Sequence, residues 1–157
     1  MKKVLFISST GGHLTELLQL RPMFEHYDYH VITEKTKANA DLGREFGSDR
    51  FDTLVFGTKV HPFSYLFKFG WNCLKSVYLY HKIKPDYVIT TGTHTAVPMC
   101  KLAHLHHKKV IWIETMANAK TPTMAGKMIY PIADLFIVQW ESMLEVYPKA
   151  VYGGWIF

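Results

Sequence analysis

Residues Val4–His13 read VLFISSTGGH. The apolar run Val4–Ile7 is only four residues long, which is too short for the core of a signal peptide and fits a buried strand. Gly11 and Gly12 permit a tight turn after that strand, and a helix is expected to begin near His13. A strand, a glycine turn and a helix in this order predict the first unit of an α/β fold.

The same alternation of short apolar runs and helical stretches continues along the chain. Six runs are predicted to be buried parallel strands: Val4–Ser8, Tyr29–Thr33, Thr53–Phe56, Tyr87–Thr90, Val110–Ile113 and Leu135–Val138. Four stretches are predicted to be helices: Leu14–Pro22, Ser64–Lys82, His94–His106 and Thr123–Ile129. The segment Glu34–Arg50 is polar and is assigned no element. Repeated βα units predict a Rossmann-like, doubly wound parallel sheet of the α/β class.

The composition is that of one folded domain spanning residues 1–157. Apolar residues make up 48% of the chain and charged residues 20%, so a sizeable core can be buried. The net charge of +5 favours phosphates, sugar nucleotides or an anionic membrane surface as partners, and no nucleic acid partner is expected. Cys73 and Cys100 are too few for a disulfide scaffold and favour a reducing compartment. Because no uncharged apolar stretch of about 18 residues is present, we expect a cytoplasmic protein, at most peripheral to a membrane.

The candidate site lies beyond the carboxyl ends of the predicted strands, where open α/β sheets bind ligands. Gly11, Gly12 and His13 follow the first strand. A second turn follows the fourth strand and contains Thr91, Gly92, Thr93, His94 and Thr95. Two glycine turns from adjacent central strands are expected to face one crevice and to bind an anion such as phosphate. The alternative is that each turn only connects a strand to a helix, and neither matches the dinucleotide fingerprint or a P-loop.

Two residues of this rim are candidates for acid–base chemistry. His13 lies at a helix N-terminus, where the dipole disfavours the imidazolium, so a neutral imidazole can act as a base at pH 7. A histidine that only caps the helix or packs is the alternative. Glu114 directly follows the apolar run Val110–Ile113, where a carboxylate can pair with a ligand hydroxyl, and Asn118 lies close behind it as a candidate binding residue.

No metal ion and no cofactor are expected. His104, His106 and His107 lie close together, but the run contains no cysteine or acidic residue to complete a closed metal site. Glu34 follows the second predicted strand, about where dinucleotide-binding folds place a ribose-binding acid. This keeps a small dinucleotide-binding protein as an alternative, although the missing glycine pattern argues against it.

The segment Pro62–Lys82 is rich in aromatic residues and carries Lys68, Lys75 and Lys82 at a spacing of seven, close to one side of the predicted helix. Its aromatic residues are Phe63, Tyr65, Phe67, Phe69, Trp71, Tyr78 and Tyr80. Aromatic side chains beside lysines suit the headgroup region of an anionic membrane. The alternative is a partner interface combined with core packing, in which the core takes up part of Leu66, Cys73, Leu74 and Val77.

Several blocks of the chain, taken in order, resemble one family. They are Gly11–His13, Thr91–Pro98, Ile113–Thr115, Ala125–Tyr130, Ala133–Trp140 and Tyr152–Gly154. The family is that of the membrane-associated subunit of the two-subunit N-acetylglucosaminyltransferase of dolichol-linked oligosaccharide synthesis. The chain resembles its bacterial capsular and exopolysaccharide relatives more closely still. The block Asp134–Trp140 is the most specific, whereas the glycine–histidine turn is shared with the wider GT-B transferases.

The resemblance implies half of an enzyme, equivalent to the N-terminal domain of a GT-B glycosyltransferase and inactive or weakly active alone. Such a subunit would bind a lipid-linked sugar acceptor, a polyprenyl pyrophosphate, at the inner face of the cell membrane. A separate small donor-binding glycosyltransferase subunit would supply the nucleotide-sugar site, with the UDP-sugar in the shared crevice. By position, His13 and Glu114 match residues expected to act in catalysis. A non-catalytic membrane adaptor of the transferase is the alternative.

Overall fold

The computed structural model describes residues 1–57 and 62–156, with side chains for all of these except residues 62–65. Its strands form one parallel sheet: β1 (Lys3–Ile7), β2 (Asp28–Lys35), β3 (Phe51–Val55), β4 (Tyr87–Thr90), β5 (Lys109–Ile113), β6 (Leu135–Val138) and β7 (Val151–Tyr152). Their spatial order is β3-β2-β1-β4-β5-β6-β7. This arrangement confirms the predicted Rossmann-like α/β fold.

Helices connect the strands on both faces of the sheet. In the described part of the chain they are α1 (Gly12–Leu18), α2 (Arg21–Phe24), α3 (Leu42–Phe46), α4 (Pro62–Ile83), α5 (Val97–Leu105) and α6 (Met124–Ile129). Short 3-10 helices cover Lys37–Asn39 and Glu141–Leu144. The chain order reverses between β1 and β4, so the loops after these two strands border the crevice in which folds of this type bind ligands.

The sheet is covered by a core on each face. Alternate residues of β1 point to opposite sides, so Leu5 and Ile7 belong to the larger core and Val4 and Phe6 to the smaller one. The larger core lies against α4, α5 and α6 and contains the fully buried Trp112. The smaller core lies against α1 and α2. Because both faces are covered, the strands are nearly continuous apolar runs, and this is what made them recognisable in the sequence.

Several strands differ from their predicted bounds by one or two residues, and one strand was missed. β7 was not predicted, because a strand of two residues, Val151–Tyr152, is too short to give a periodic signal. β2 extends past Thr33 and includes Glu34. The acid expected after the second strand is therefore part of that strand, and its side chain is buried.

The helices also differ from their predictions. The segment Glu34–Arg50, to which no element was assigned, contains a 3-10 helix and α3. The stretch Leu14–Pro22 forms two short helices, because α1 ends at Leu18 and α2 begins at Arg21. Helix α5 begins at Val97 rather than at His94. The residues before Val97 instead form the turn that follows β4, so they face the crevice region rather than lying in the helix.

Helix α4 faces the sheet with a mixed stripe of buried residues, namely Asn72, Ser76, Leu79 and Tyr80. The Asn72 amide accepts a hydrogen bond from the N–H of Val55 and donates one to its carbonyl oxygen, each at 2.8 Å. The side chains of Leu66, Leu74 and Val77 are exposed, which argues against the alternative in which the core takes up part of them. These hydrogen bonds to the edge strand β3 help to determine which side of α4 is buried.

Candidate functional site

The turn after β1 places two glycines in front of open space. Gly11 has a φ of +76° and is the residue before α1, a left-handed conformation that favours glycine. A Cβ added to Gly11 or Gly12 would meet no atom within 4 Å. The backbone of this turn is therefore accessible to a ligand.

The turn after β4 packs directly against the first turn. Gly92 has a φ of +98°, and a Cβ added there would lie 3.3 Å from His13 Nδ1. A side chain at position 92 would thus be strained and would crowd the imidazole ring. The two glycine turns that the sequence places after separate strands are in contact through His13 and Gly92.

His13 is held between the turns by two hydrogen bonds to Thr91. The ring Nδ1 lies 2.8 Å from the Thr91 carbonyl oxygen, and because that oxygen can only accept, Nδ1 carries the proton. The Thr91 hydroxyl donates to the His13 carbonyl oxygen at 2.6 Å. When the ring is neutral, Nε2 therefore carries the electron pair that a general base needs. Among the described residues Nε2 has no hydrogen-bond partner.

Glu16, one helical turn after His13, is a site residue that the sequence interpretation missed. The residue is 3% exposed, and its carboxylate accepts hydrogen bonds from the Thr115 hydroxyl at 3.1 Å and the Met116 N–H at 3.2 Å. The Gln139 amide nitrogen lies 3.4 Å from its other oxygen. Burial raises the pKa of Glu16, while these donors and the nearby His13 oppose the shift. Glu16 thus ties α1 to the ends of β5 and β6. The signal in the sequence that could have revealed this site residue is an acidic residue between two leucines on an amphipathic helix.

Glu34 lies inside β2 and is turned toward the second glycine turn. The Thr95 hydroxyl donates to its carboxylate at 2.5 Å. Burial raises the pKa of Glu34, while the hydrogen bonds from Thr95 and from the Thr10 backbone lower it. The dinucleotide alternative is wrong about this residue, because the carboxylate is bound within the domain and is not presented to a ribose. The hydroxyl of Thr95 is thus already bonded to Glu34, and a substrate-binding role for Thr95 stays a prediction.

Glu114 directly follows β5, and its carboxylate is enclosed by the domain. It accepts hydrogen bonds from the hydroxyls of Thr123 at 2.9 Å and Tyr147 at 3.2 Å, and from the N–H of Thr115 at 3.2 Å. A Cβ added to Gly126 would overlap the carboxylate. Burial raises the pKa of Glu114, and its hydrogen bonds oppose the shift. Internal donors therefore replace the expected ligand hydroxyl, and a catalytic role for Glu114 stays a prediction.

The other predicted binding residues lie at the rim of the crevice. Thr93 and His94 are half-buried in the turn after β4, and Asn118 is half-buried in the loop after β5. Within residues 1–57 and 62–156 no three His, Cys, Asp or Glu side chains are grouped so that they could hold a metal ion. Of the histidines before β5, His106 stacks on Tyr80 with ring centroids 5.0 Å apart.

A second surface lies on α4, opposite its buried side. Four large apolar side chains, which we call the outer face of α4, are exposed there by 81%, 60%, 67% and 65%: Phe67, Trp71, Leu74 and Tyr78. A contiguous exposed apolar surface of this kind is typical of an interaction site. In the part of the chain that the structure describes, no helix has the length and apolar character of a membrane span.

The lysines of α4 are not equivalent. Lys68 and Lys75 lie beside the outer face, and both are half-buried. The ammonium group of Lys82 pairs with the Asp52 carboxylate at 2.8 Å, and the side chain stays 42% exposed. A contribution of Lys82 to a membrane or partner surface stays a prediction. The side chains of Phe63 and Tyr65, also part of the aromatic segment, lie outside the described residues.

A comparison with known protein families shows to which family the chain belongs. The family model described as "Oligosaccharide biosynthesis protein Alg14 like" matches residues 58–156. The chain belongs to the Alg14 family. A human relative named "UDP-N-acetylglucosamine transferase subunit ALG14" is 33% identical over 96% of this chain and 81% of its own length. A Kluyveromyces lactis relative of the same name is 25% identical over 96% of this chain and 77% of its own length.

Solved structures share the fold of this Alg14 family member. The UDP-GlcNAc 2-epimerase of Methanocaldococcus jannaschii has a TM-score of 0.69 at 17% identity, over 95% of this chain and 42% of that chain. Acinetobacter baumannii MurG has a TM-score of 0.65 at 17% identity, over 90% and 43%. The chain thus spans about two fifths of the length of these structures. At this identity the likeness shows a common architecture and no more.

Proposed function

We propose that this chain is the acceptor-binding subunit of a two-subunit glycosyltransferase. Human and rat relatives are named as subunits of a UDP-N-acetylglucosamine transferase. The word subunit in these names supports a crevice completed by a second protein. That partner, a small donor-binding glycosyltransferase subunit, holds the UDP-sugar at the shared crevice, and this chain is inactive or weakly active alone.

The position of His13 between the two glycine turns is the observation that carries this proposal. With Nδ1 bonded to the Thr91 carbonyl oxygen, Nε2 of the neutral ring has the electron pair that a general base requires, and His13 is half-buried. In the proposed reaction, Nε2 takes the proton from an acceptor hydroxyl as that oxygen bonds to the anomeric carbon of the donor sugar. The bond from that carbon to UDP breaks, and UDP leaves with the electron pair.

The acceptor in this proposal is a lipid-linked sugar on a polyprenyl pyrophosphate. The open backbone at Gly11 and Gly12 leaves room for a pyrophosphate, and Thr93, His94 and Asn118 are the rim residues proposed to contact the acceptor. The net charge of +5 favours such an anionic ligand. We propose that the transfer reaction serves capsular or exopolysaccharide synthesis, because the sequence blocks resemble those of the bacterial proteins of these pathways.

Membrane attachment is assigned to the outer face of α4. Phe67 is 81% exposed and Trp71 60%, and Lys68 and Lys75 lie beside them. Exposed aromatic residues with adjacent lysines favour the anionic surface of the inner face of the cell membrane. Because this face does not depend on His13, it also supports the second candidate function, a non-catalytic adaptor that brings the transferase to the membrane.

Sugar transfer by the reconstituted complex separates the two functions. The chain is co-expressed with its donor-binding partner, and transfer of labelled sugar to a lipid acceptor is measured. His13→Ala is expected to lower kcat by about 10²–10⁴-fold, which is the usual contribution of a general base. His26→Ala, which changes an exposed histidine, is the matched control and is expected to leave transfer unchanged. Wild-type transfer by His13→Ala would leave only the adaptor function.

A further inference from the structure

An apolar groove runs between helices α4 and α5, and we call it the α4–α5 groove. Its volume is about 370 Å³, and Met128 of α6 forms part of its wall. From α4 it is lined by Phe69, Cys73 and Val77, which are spaced by four residues and so form one stripe of the helix. The chemistry assigned to His13 makes no use of this groove.

The wall contributed by α5 repeats the same spacing. Val97, Lys101 and Leu105 line it at intervals of four residues, so the two helical stripes run side by side. The α4 stripe runs from Phe69 to Val77, which is eight steps or about 12 Å of helix. The groove is therefore suited to an extended apolar chain, and Lys101 is the one charged residue among the described residues that line it.

One end of the groove lies at the crevice. Helices α4 and α5 each follow a parallel strand, so both begin at the carboxyl edge of the sheet and run toward the opposite edge. Val97 is the first residue of α5, and its N–H donates to the carbonyl oxygen of His94 at 3.2 Å. His94 belongs to the second glycine turn. A ligand with its head group at the glycine turns thus has an apolar path for its tail.

We propose that the α4–α5 groove holds the first isoprene units of the acceptor's polyprenyl chain. This inference rests on the proposed function, because the pyrophosphate and sugar of that acceptor have to occupy the crevice at the upper end of the groove. A dry cavity of about 150 Å³ holds one benzene molecule, so the groove has room for about two groups of that size. Lys101, one helical turn from Val97, adds a positive charge for the anionic head and an apolar stem for the wall.

The groove is distinct from the outer face of α4. Successive residues of an α-helix are rotated by about 100°, so neighbours in sequence belong to different surfaces. Cys73 is half-buried in the groove wall, whereas the next residue, Leu74, is 67% exposed on the outer face. Leu105, at the far end of the groove, is 70% exposed. Leu74 and Leu105 are therefore matched positions at which a charge leaves the core intact.

The thiol of Cys73 makes occupancy of the groove measurable without an activity assay. The folded full-length chain is treated with N-ethylmaleimide, and alkylation of each cysteine is followed by mass spectrometry. A mildly alkaline buffer is used, because burial raises the pKa of the Cys73 thiol. Cys100 is the internal control for unfolding, since it is fully buried and burial raises its pKa to about 12.

Farnesyl phosphate is the probe, and dodecyl phosphate, an unbranched chain of the same backbone length, is its control. At about nine times its dissociation constant, farnesyl phosphate is expected to slow alkylation of Cys73 about tenfold. Leu105→Glu is expected to abolish this protection and Leu74→Glu to retain it. Absence of protection in the wild type, or its loss in Leu74→Glu but not in Leu105→Glu, overturns the proposal. Equal protection by dodecyl phosphate also overturns it, because the groove then accepts any lipid chain.

A transfer assay on the two-subunit complex separates this inference from the proposed function. Transfer to a polyprenyl-linked acceptor with Cys73 unprotected overturns the groove assignment and leaves the function standing. Protection of Cys73 by farnesyl phosphate without any transfer by the complex supports the groove assignment and contradicts the function.

Discussion

Thr91 and His13 are joined twice, and each bond ends on a main-chain carbonyl oxygen. The His13 ring donates to the carbonyl of Thr91 at 2.8 Å, and the Thr91 hydroxyl donates to the carbonyl of His13 at 2.6 Å. Thr91 is fully buried, so water cannot replace a lost partner there. The pair joins the loops after β1 and β4 at the point where the crevice lies.

Thr91→Val is expected to lower the free energy of unfolding by about 1–3 kcal/mol, because it leaves the carbonyl of His13 without its buried donor. The tautomer of His13 is expected to stay the same, because its acceptor is a main-chain oxygen that valine also supplies. Urea denaturation measures the first effect, and ¹⁵N NMR of the imidazole measures the second. Thr91→Ser, which keeps the hydroxyl, is the control. A switch of the ring proton to Nε2 in Thr91→Val would contradict the assignment.

Gly126→Ala is expected to destabilise the fold by about 1–3 kcal/mol, the usual effect of overpacking. The added Cβ overlaps the Glu114 carboxylate. Gly70→Ala is the matched control within a helix, because a Cβ there meets nothing within 4 Å. That variant is expected to stabilise the protein by about 0.4–1 kcal/mol. Urea denaturation of both variants is the measurement, and equal shifts in the two would show that Glu114 can move away.

His30 is expected to make stability depend on pH. The residue is buried in β2, with Nε2 3.0 Å from the Asp52 carboxylate. Burial lowers the pKa of His30, and the Asp52 charge partly opposes the shift. The unfolded chain, in which a histidine has a pKa of about 6.5, therefore binds more protons at this position than the folded protein. The contribution of His30 is fully present above about pH 6.5 and is lost as the pH falls toward the lower folded pKa.

The pH dependence of the wild type contains contributions from the buried carboxylates as well as from His30. Comparing its free energy of unfolding with that of His30→Gln isolates the contribution of His30. The free energy of unfolding is measured in urea at about pH 5.5 and about pH 7.5, on either side of the unfolded pKa. The wild type is expected to gain more stability than the variant between the two values. Parallel changes in both proteins would mean that His30 is protonated alike in the folded and unfolded states.

Reversing the charges beside the outer face of α4 is expected to weaken membrane binding. A basic residue near an anionic surface contributes about 1 kcal/mol, so Lys68→Glu with Lys75→Glu is expected to lower vesicle binding by at least about 30-fold. The matched control is Lys37→Glu with Lys149→Glu, which changes the net charge equally at two exposed lysines. Flotation with vesicles that contain phosphatidylglycerol is the measurement. An equal loss of vesicle binding in both double variants would show that binding depends on the overall charge of the protein.

The sheet could be predicted from the sequence because buried parallel strands are short continuous apolar runs, as at Val4–Ile7. The orientation of α4 could not be predicted in the same way. Its apolar residues lie on most sides of the helix, so periodicity alone does not show which side meets the sheet. Which side of α4 meets the sheet depends on the hydrogen bonds between Asn72 and Val55, which are 17 residues apart.

The two glycine turns were visible in the sequence, but the bonds that organise the site were not. The contact of His13 with Thr91 depends on the register of β1 against β4, in which Ile7 pairs with Thr90. The bond between Glu34 and Thr95 joins residues 61 positions apart. Local patterns carry no information about such pairs, and so the buried acids were interpreted as ligand contacts or overlooked.

The two ends of the sheet differ in what they offer to another strand. At β3, the side chain of Asn72 takes up the outward-facing N–H and carbonyl of Val55, much as a neighbouring strand would. At the other end the sheet stops at β7, where Val151 is 52% exposed and Tyr152 49%. Edge strands with free backbone groups are templates for strand addition. A strand added to the β3 edge would therefore have to displace Asn72 from both backbone groups of Val55.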